Sequence, residues 1–501
     1  MVELNKITRL LTDRVKDTFT AVELQVHDDN PGKEQQLLNG ILEGRFKTDD
    51  EAASGMYGTD GTDQRFRMLK SRLRQRLLNM LFLVNYNDSR TKISHQYEQE
   101  ALNYILKAKI LLREGIEDIA EKMTNKALMI STEAEFTSIT LDGLNLMRRL
   151  DSFNCKPADF FRNEEDLEKY RKLYAIEEEA MDIYFKYRML IRKSVNSRKK
   201  NIDEAKKAAD KLEELWKKTS SFNIFEKYYI LKMMCYESFG EYDVILKLTE
   251  QTEKEVSKGK LNPLRFDQRY NVYMRTYAFL RTNQLNKGLK YAEGAIQHFE
   301  RSTSNWFAHM ENYYSIAMRK QDYDLAKDIL EQVFRNPHME NLRPKMAQRW
   351  KLLRAYLYLI HPNQELQYIV NFDEFYLSFN VLKEDKNGLN VALLVLEFMH
   401  YLSRNKKEKL LDKVERLEKY LYRYLNEADV TPRDKIFFKM LLVIVDTGFN
   451  VELARKKGKK LLEKLQKTEE SSDAYAEMEI IPYEHLWEHL MKMMKKELAY
   501  A

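Results

Sequence analysis

The sequence predicts an all-α chain, and three observations carry that expectation. Ala, Leu, Glu, Lys, Met and Arg, the strong helix formers, dominate from about Arg65 onward. Apolar residues recur three and four apart: Leu69, Leu73, Leu77 and Leu81 mark one helix face, and Leu102, Ile105, Leu106 and Ile110 another. Only 15 Gly and 8 Pro occur in 501 residues, too little turn punctuation for a sandwich or barrel. Moreover Pro157, Pro263, Pro337, Pro344, Pro362, Pro432 and Pro482 fall between the periodic segments. Inside a helix each would cost about 3 kcal/mol.

The elements follow in order. Residues 1–27 read as one amphipathic helix, with Leu4, Ile7, Leu11, Val15, Phe19 and Val22 on a single stripe. Such a helix is marginal alone, so it packs on its own chain, on a second copy or on a partner. Residues 28–64 hold six glycines and the run from Gly58 to Asp63, and read as a flexible Gly/Asp-rich linker. Asp49 and Asp50 are then solvated linker carboxylates, as are Glu469 and Glu470. Residues 65–200 form an N-terminal helical block, 201–470 an array of helix pairs, and 471–501 a C-terminal linker with a capping helix.

Composition bounds the function class. A hydrophobic share of 44% excludes wholesale disorder. The net charge of +6 is too small for a dedicated nucleic-acid binder. No apolar run approaches the ~20 residues a membrane helix needs. Cys155 and Cys235 make no disulfide framework and fit a reducing compartment, so a cytoplasmic location is expected.

A helix–turn–helix pattern recurs. One copy runs Gly115-Ile-Glu-Asp-Ile-Ala120 and on to Ala127; others centre on Gly240-Glu-Tyr242 with Ile245, Asn283-Gln-Leu285 with Gly288, and Asp322-Tyr323 with Ala326. Weaker copies include Ala205 and Ala454. Each joins a tight turn, a residue packing back on the first helix, and a small residue at the helix crossing. The pattern resembles the second half of the tetratricopeptide repeat, although the spacing is longer and the Trp, Leu-Gly and Tyr signature of its first helix is missing. The resemblance implies an α-solenoid whose first helices line a concave, peptide-gripping groove.

Catalytic motifs are weak. His485-Leu-Trp-Glu-His489 fits an inverted zinc-peptidase pattern, but Glu497 is the sole carboxylate after it, so a terminal helix burying Leu486, Leu490 and Met493 is the expectation. The cysteines read as core packing. Cations cluster at Lys186–Lys200 and Arg455–Lys460, where helix ends favour positive charge. No catalytic residue, metal site or cofactor is expected.

Tyr270, Tyr273 and Tyr277 share one helix face by spacing, and Arg349 and Arg354 point away from the Trp350, Leu353, Leu357 face. Given the groove that the resemblance implies, the candidate site is Tyr270, Tyr273, Tyr277, Arg281, Asn312, Arg319, Arg349 and Arg354. The expected function is a non-enzymatic scaffold binding a protein or peptide, without nucleic acid or membrane, with homo-oligomerisation through the first helix a further route. The alternatives are a peptide-responsive signalling regulator and a polyanion-binding helical-repeat protein.

Overall fold

The computed structural model describes residues 1–14, 32–84, 91–361, 389–404, 406, 408, 410, 431–468 and 479–498. The described residues form twenty α-helices and no strand. None of these helices is long and apolar enough to cross a membrane. Helix-starting prolines match the sequence expectation: Pro157, Pro344 and Pro432 each open a helix, where the missing N–H costs nothing. The chain divides into two compact units, residues 1–103 and 104–501.

The first unit holds α1 (Val2–Arg14), α2 (Lys33–Leu42), α3 (Asp49–Tyr57) and α4 (Gln64–Met80). Here the expected linker is corrected, because residues 33–42 and 49–57 are helical. Thr48 and Glu51 close a capping box at the start of α3, satisfying two backbone donors reciprocally. Two glycines serve packing rather than flexibility. A Cβ at Gly55 would lie 2.8 Å from the Phe46 ring, and one at Gly40 would collide with the same ring. Asp49 is no solvated linker carboxylate either, since Lys70 Nζ donates to it at 2.7 Å. Helix α1 packs on α2 and α4, burying Leu4 and Leu11, so it is not a helix free on a tether. Its expected continuation through Val15, Phe19 and Val22 lies outside the described residues.

The division falls within α5 (Ile93–Arg113). The second unit continues with α6 (Glu117–Glu133), α7 (Thr137–Phe153), the long α8 (Pro157–Lys193), α9 (Val195–Thr219), α10 (Phe222–Phe239) and α11 (Tyr242–Ser257). Then come α12 (Gln268–Arg281), α13 (Leu285–Ala295), α14 (Ser304–Lys320), α15 (Tyr323–Phe334), α16 (Pro344–Ile360), α17 (Leu389–Ser403), α18 (Pro432–Asp446), α19 (Val451–Lys467) and α20 (Tyr483–Leu498). Helices from α6 to α17 pack mainly on their chain neighbours, and α8 with α10 and α12 with α14 also pack on the next but one. The small residues expected at crossings are buried, among them Ala120, Ala205, Gly288, Ala326 and Ala454.

One turn geometry recurs. A last-turn carbonyl accepts the N–H five residues on, closing a Schellman motif. It joins Leu111 to Ile116 at 2.9 Å, Ser131 to Phe136 at 2.7 Å, Asp151 to Lys156 at 2.9 Å and Tyr236 to Glu241 at 2.9 Å. The same bond joins Phe279 to Gln284, Ala317 to Asp322 and Ile444 to Phe449, each at 3.0 Å. The motif needs a left-handed residue, which is glycine at 115, 240 and 448 but Glu135, Cys155, Asn283 and Gln321 elsewhere. The turns at Glu135 and Cys155 were hidden from the sequence pattern because glycine is missing there. Cys155 is exposed in its turn, against the expectation of core packing, while Cys235 is buried and its thiol is pushed up to about 12 by that burial.

Two polar junctions tie distant segments. In the first, buried Glu177 accepts from Thr137 Oγ1 at 2.9 Å and Ser221 Oγ at 2.6 Å. Beside it, Arg265 Nη1 donates to the carbonyls of Ala134 and Glu135 at 2.9 Å, and Asn262 Nδ2 to that of Glu133 at 2.7 Å. In the second, buried Arg433 binds Glu479 at 2.5 Å and Glu484 at 2.7 Å, and caps the end of α19 through the Leu465 and Thr468 carbonyls at 2.9 Å.

Two stability outcomes follow for the C-terminal helices. Arg433→Ala leaves two carboxylates without their buried partner and should cost ~3–5 kcal/mol, read as a lower midpoint in urea unfolding. A Cβ at Gly458 would meet Trp487 Cζ2 at 2.8 Å, so Gly458→Leu should overpack the α19–α20 contact by ~1–3 kcal/mol in the same assay.

Candidate functional site: an aromatic strip ending in a cationic cleft

Successive helices place their polar and aromatic side chains in one continuous strip. On α12, Tyr273 and Tyr277 stack with ring centroids 6.4 Å apart, and Tyr277 meets Tyr242 edge-on at 5.6 Å. Arg281 Nη1 donates to the Tyr277 hydroxyl at 2.9 Å, and its guanidinium lies 4.7 Å over the Tyr242 ring. Tyr270 packs edge-on against Tyr229 of α10 at 6.3 Å. Burial holds the Tyr270 and Tyr273 hydroxyls above the ordinary phenol range, although both rings keep part of their surface open. Amphipathic rings of this kind suit a face that must bury area and still form hydrogen bonds.

Helix α14 supplies Glu311, Asn312 and Arg319. Asn312 is buried beside the Tyr273 hydroxyl, and Glu311 binds Arg349 Nε of α16 at 2.5 Å. From α10, Glu237 sits near Arg281, Arg192 and Arg198; burial raises its pKa and the arginines oppose the rise. The structure therefore gathers Tyr270, Tyr273, Tyr277, Arg281, Asn312, Arg319 and Arg349 along neighbouring helices. Arg354 is the exception. Its guanidinium lies 4.1 Å over the Phe334 ring of α15, where burial lowers its pKa, so it packs away from the strip.

The strip ends in a cleft of about 810 Å³ where the turns after α10, α12 and α14 meet the first turn of α20. Tyr242, Arg281, Arg319, Lys320, Glu484 and His485 line it. Its position follows from the recurrent turn, which brings three helix C-termini side by side. Cations are favoured at such ends by the helix dipole, so Arg281, Arg319 and Lys320 converge. Tyr242, Lys320, Glu311 and Glu237 were not anticipated as site residues. Tyr242 had a signal in its turn motif, but the others become neighbours only through packing.

The histidine pair of α20 turns to other partners. His489 Nε2 lies 2.7 Å from the Tyr323 hydroxyl, and Glu488 pairs with Arg455 at 2.6 Å. Leu486 and Leu490 are buried as expected, and Met493 is half-buried. Compared with known proteins, the chain matches no family model, and no curated sequence matches it.

Burial, with Lys492 and His485 nearby, depresses His489 to about 4, while Glu488 opposes the shift. Its unfolded value is near 6.5, so the unfolded chain binds more protons between these limits and stability falls as pH drops from about 6.5 towards 4. Thermal melts across that window should show the loss, and His489→Gln should make it shallower.

Proposed function

We propose that the second unit is an α-solenoid of tetratricopeptide-like helix pairs that acts without catalysis as a protein- or peptide-binding scaffold inside the cell. The carrying observation is the contiguous strip of Tyr270, Tyr273, Tyr277, Arg281 and Arg349 on α12 and α16, with Glu311 and Asn312 between them. Neighbour-on-neighbour packing, the recurrent turn and the small residues at crossings support the repeat reading, because a stack of helix pairs exposes an extended face that no single pair could form. Tyr and Arg are enriched among the residues that dominate binding energy at interfaces, where they fill pockets and keep polar contacts. The strip offers aromatic surface, amide and both charges, which fits a peptide segment with mixed apolar and polar side chains.

The test is selection from a random-peptide display library against the full chain, followed by affinity measurement on the enriched peptides. Tyr273→Ala with Tyr277→Ala should weaken those peptides by about tenfold or more, equivalent to ~1.4 kcal/mol. Retained affinity in the double variant, with an unchanged helical signal in circular dichroism, would remove the strip as the binding face.

A further inference from the structure

We propose that an outward-facing stripe of α5 is the surface through which two copies of this chain pair, with their α5 helices antiparallel. One stripe of α5, formed by Ala101, Ile105, Ala108 and Leu112, is buried. A second lies well round the helix from it. Leu102, Leu106 and Ile110 follow one another at single turns and are 44%, 44% and 49% exposed. Gln99 and Asn103, bonded to each other at 3.3 Å, border them. A helix that is apolar on more than one face is normally covered on each, and contiguous exposed apolar side chains mark interaction surfaces. Helix α1, the sequence-based candidate for pairing, instead spends Leu4 and Leu11 on its own unit.

The charges along α5 select the occupant. Glu98 and Glu100 fall in its first half, and Lys107, Lys109 and Arg113 in its second. Lys109 is engaged, donating to Asp142 of α7 at 2.8 Å, and Lys107 lies 5.5 Å from the Tyr104 ring. Glu98 and Arg113, both exposed, are therefore the charges best placed to reach a second copy. Glu114, in the turn that follows, flanks the other side of the stripe from Arg113. A helix that is acidic at one end and basic at the other complements itself only when the second copy runs the opposite way; a parallel copy would set like charges together. With a two-fold axis near Leu106, Leu102 meets Ile110 of the partner subunit, and Glu98 meets Arg113 of the partner subunit. The contact is isologous and closes at two chains. Three large apolar residues a side, on a helix of 21 residues and so about 31 Å long, make less than the standard interface of ~1,600 Å². The dimer is accordingly a weak one, with a dissociation constant in the micromolar range.

This contact goes beyond the peptide-binding reading and does not depend on it. Sedimentation velocity of the full chain over a wide concentration range tests it, and the mass should rise from one chain towards two. Leu106→Glu brings two carboxylates together at the two-fold axis and should weaken pairing by about tenfold or more, with the helical signal in circular dichroism retained. Phe161→Glu, at a 63% exposed apolar position on α8, should leave pairing intact. Glu98→Lys and Arg113→Glu should each weaken pairing when measured alone. An equimolar mixture of those two variants should restore it, because the new lysine of one meets the new glutamate of the other while Glu98 and Arg113 still pair across the second contact. A chain that stays monomeric at every concentration overturns the proposal, and a lower thermal midpoint in Leu106→Glu would then assign the stripe to a contact within the chain. A dimer that survives Leu106→Glu, or one that Phe161→Glu dissolves as readily, overturns it as well. Failure of the mixture to pair better than either variant overturns the antiparallel arrangement.

Discussion

The Schellman turn is the constraint on which the second unit depends. Each closure between residues such as Phe279 and Gln284 stops one helix, reverses the chain within a few residues and satisfies carbonyls that would otherwise be orphaned. Because the reversal is so short, the next helix must pack antiparallel on the last, and helix ends gather into common edges. The geometry is strict enough that the chain accepts left-handed non-glycine residues such as Glu135, Cys155 and Gln321 to keep it, at a cost of about 1–2 kcal/mol each. A repeated backbone device thus fixes where side chains near the helix ends must meet.

The aromatic strip and the cationic cleft are two products of that device. Along α12 the three- and four-residue spacing keeps Tyr270, Tyr273 and Tyr277 on one face, and α14, the next helix but one, brings up Glu311 with Arg349 of α16 bound to it. At the end of the same helices, cations that stabilise individual C-termini become neighbours. Local helix electrostatics and site electrostatics therefore favour the same residues, a consistency between levels that marks a specified structure.

Much of this was legible in the sequence. The helices from α4 onward, the proline starts, the turns at Gly115, Gly240 and Asn283, and the tyrosine face all follow from short-range rules. In the head the glycine content suggests flexibility, whereas Gly40 and Gly55 make room for one ring, Phe46, that only tertiary structure brings between them. The Thr48–Glu51 capping box is the local signal of a helix start there. For Arg354, spacing fixes the direction relative to Trp350, but whether that direction meets the strip or Phe334 depends on how α15 and α16 pack. Lys320 beside Arg319 was visible but carried no signal until three helix ends converged.

The junction around Glu177 and Arg265 has a consequence for how the second unit folds. Arrays of stacked helix pairs approximate a one-dimensional chain in which each unit's stability depends only on adjacent units. Arg265 breaks that rule, because it clamps the turn at Glu135, some 130 positions earlier, while Glu135 itself accepts the Phe222 amide at the start of α10. The stretch from α6 to α12 is thereby closed into a loop whose formation must bear the entropy of bringing distant segments together. It should melt as one cooperative block rather than fray pair by pair, and its contact order should make it a late part of the unit to assemble.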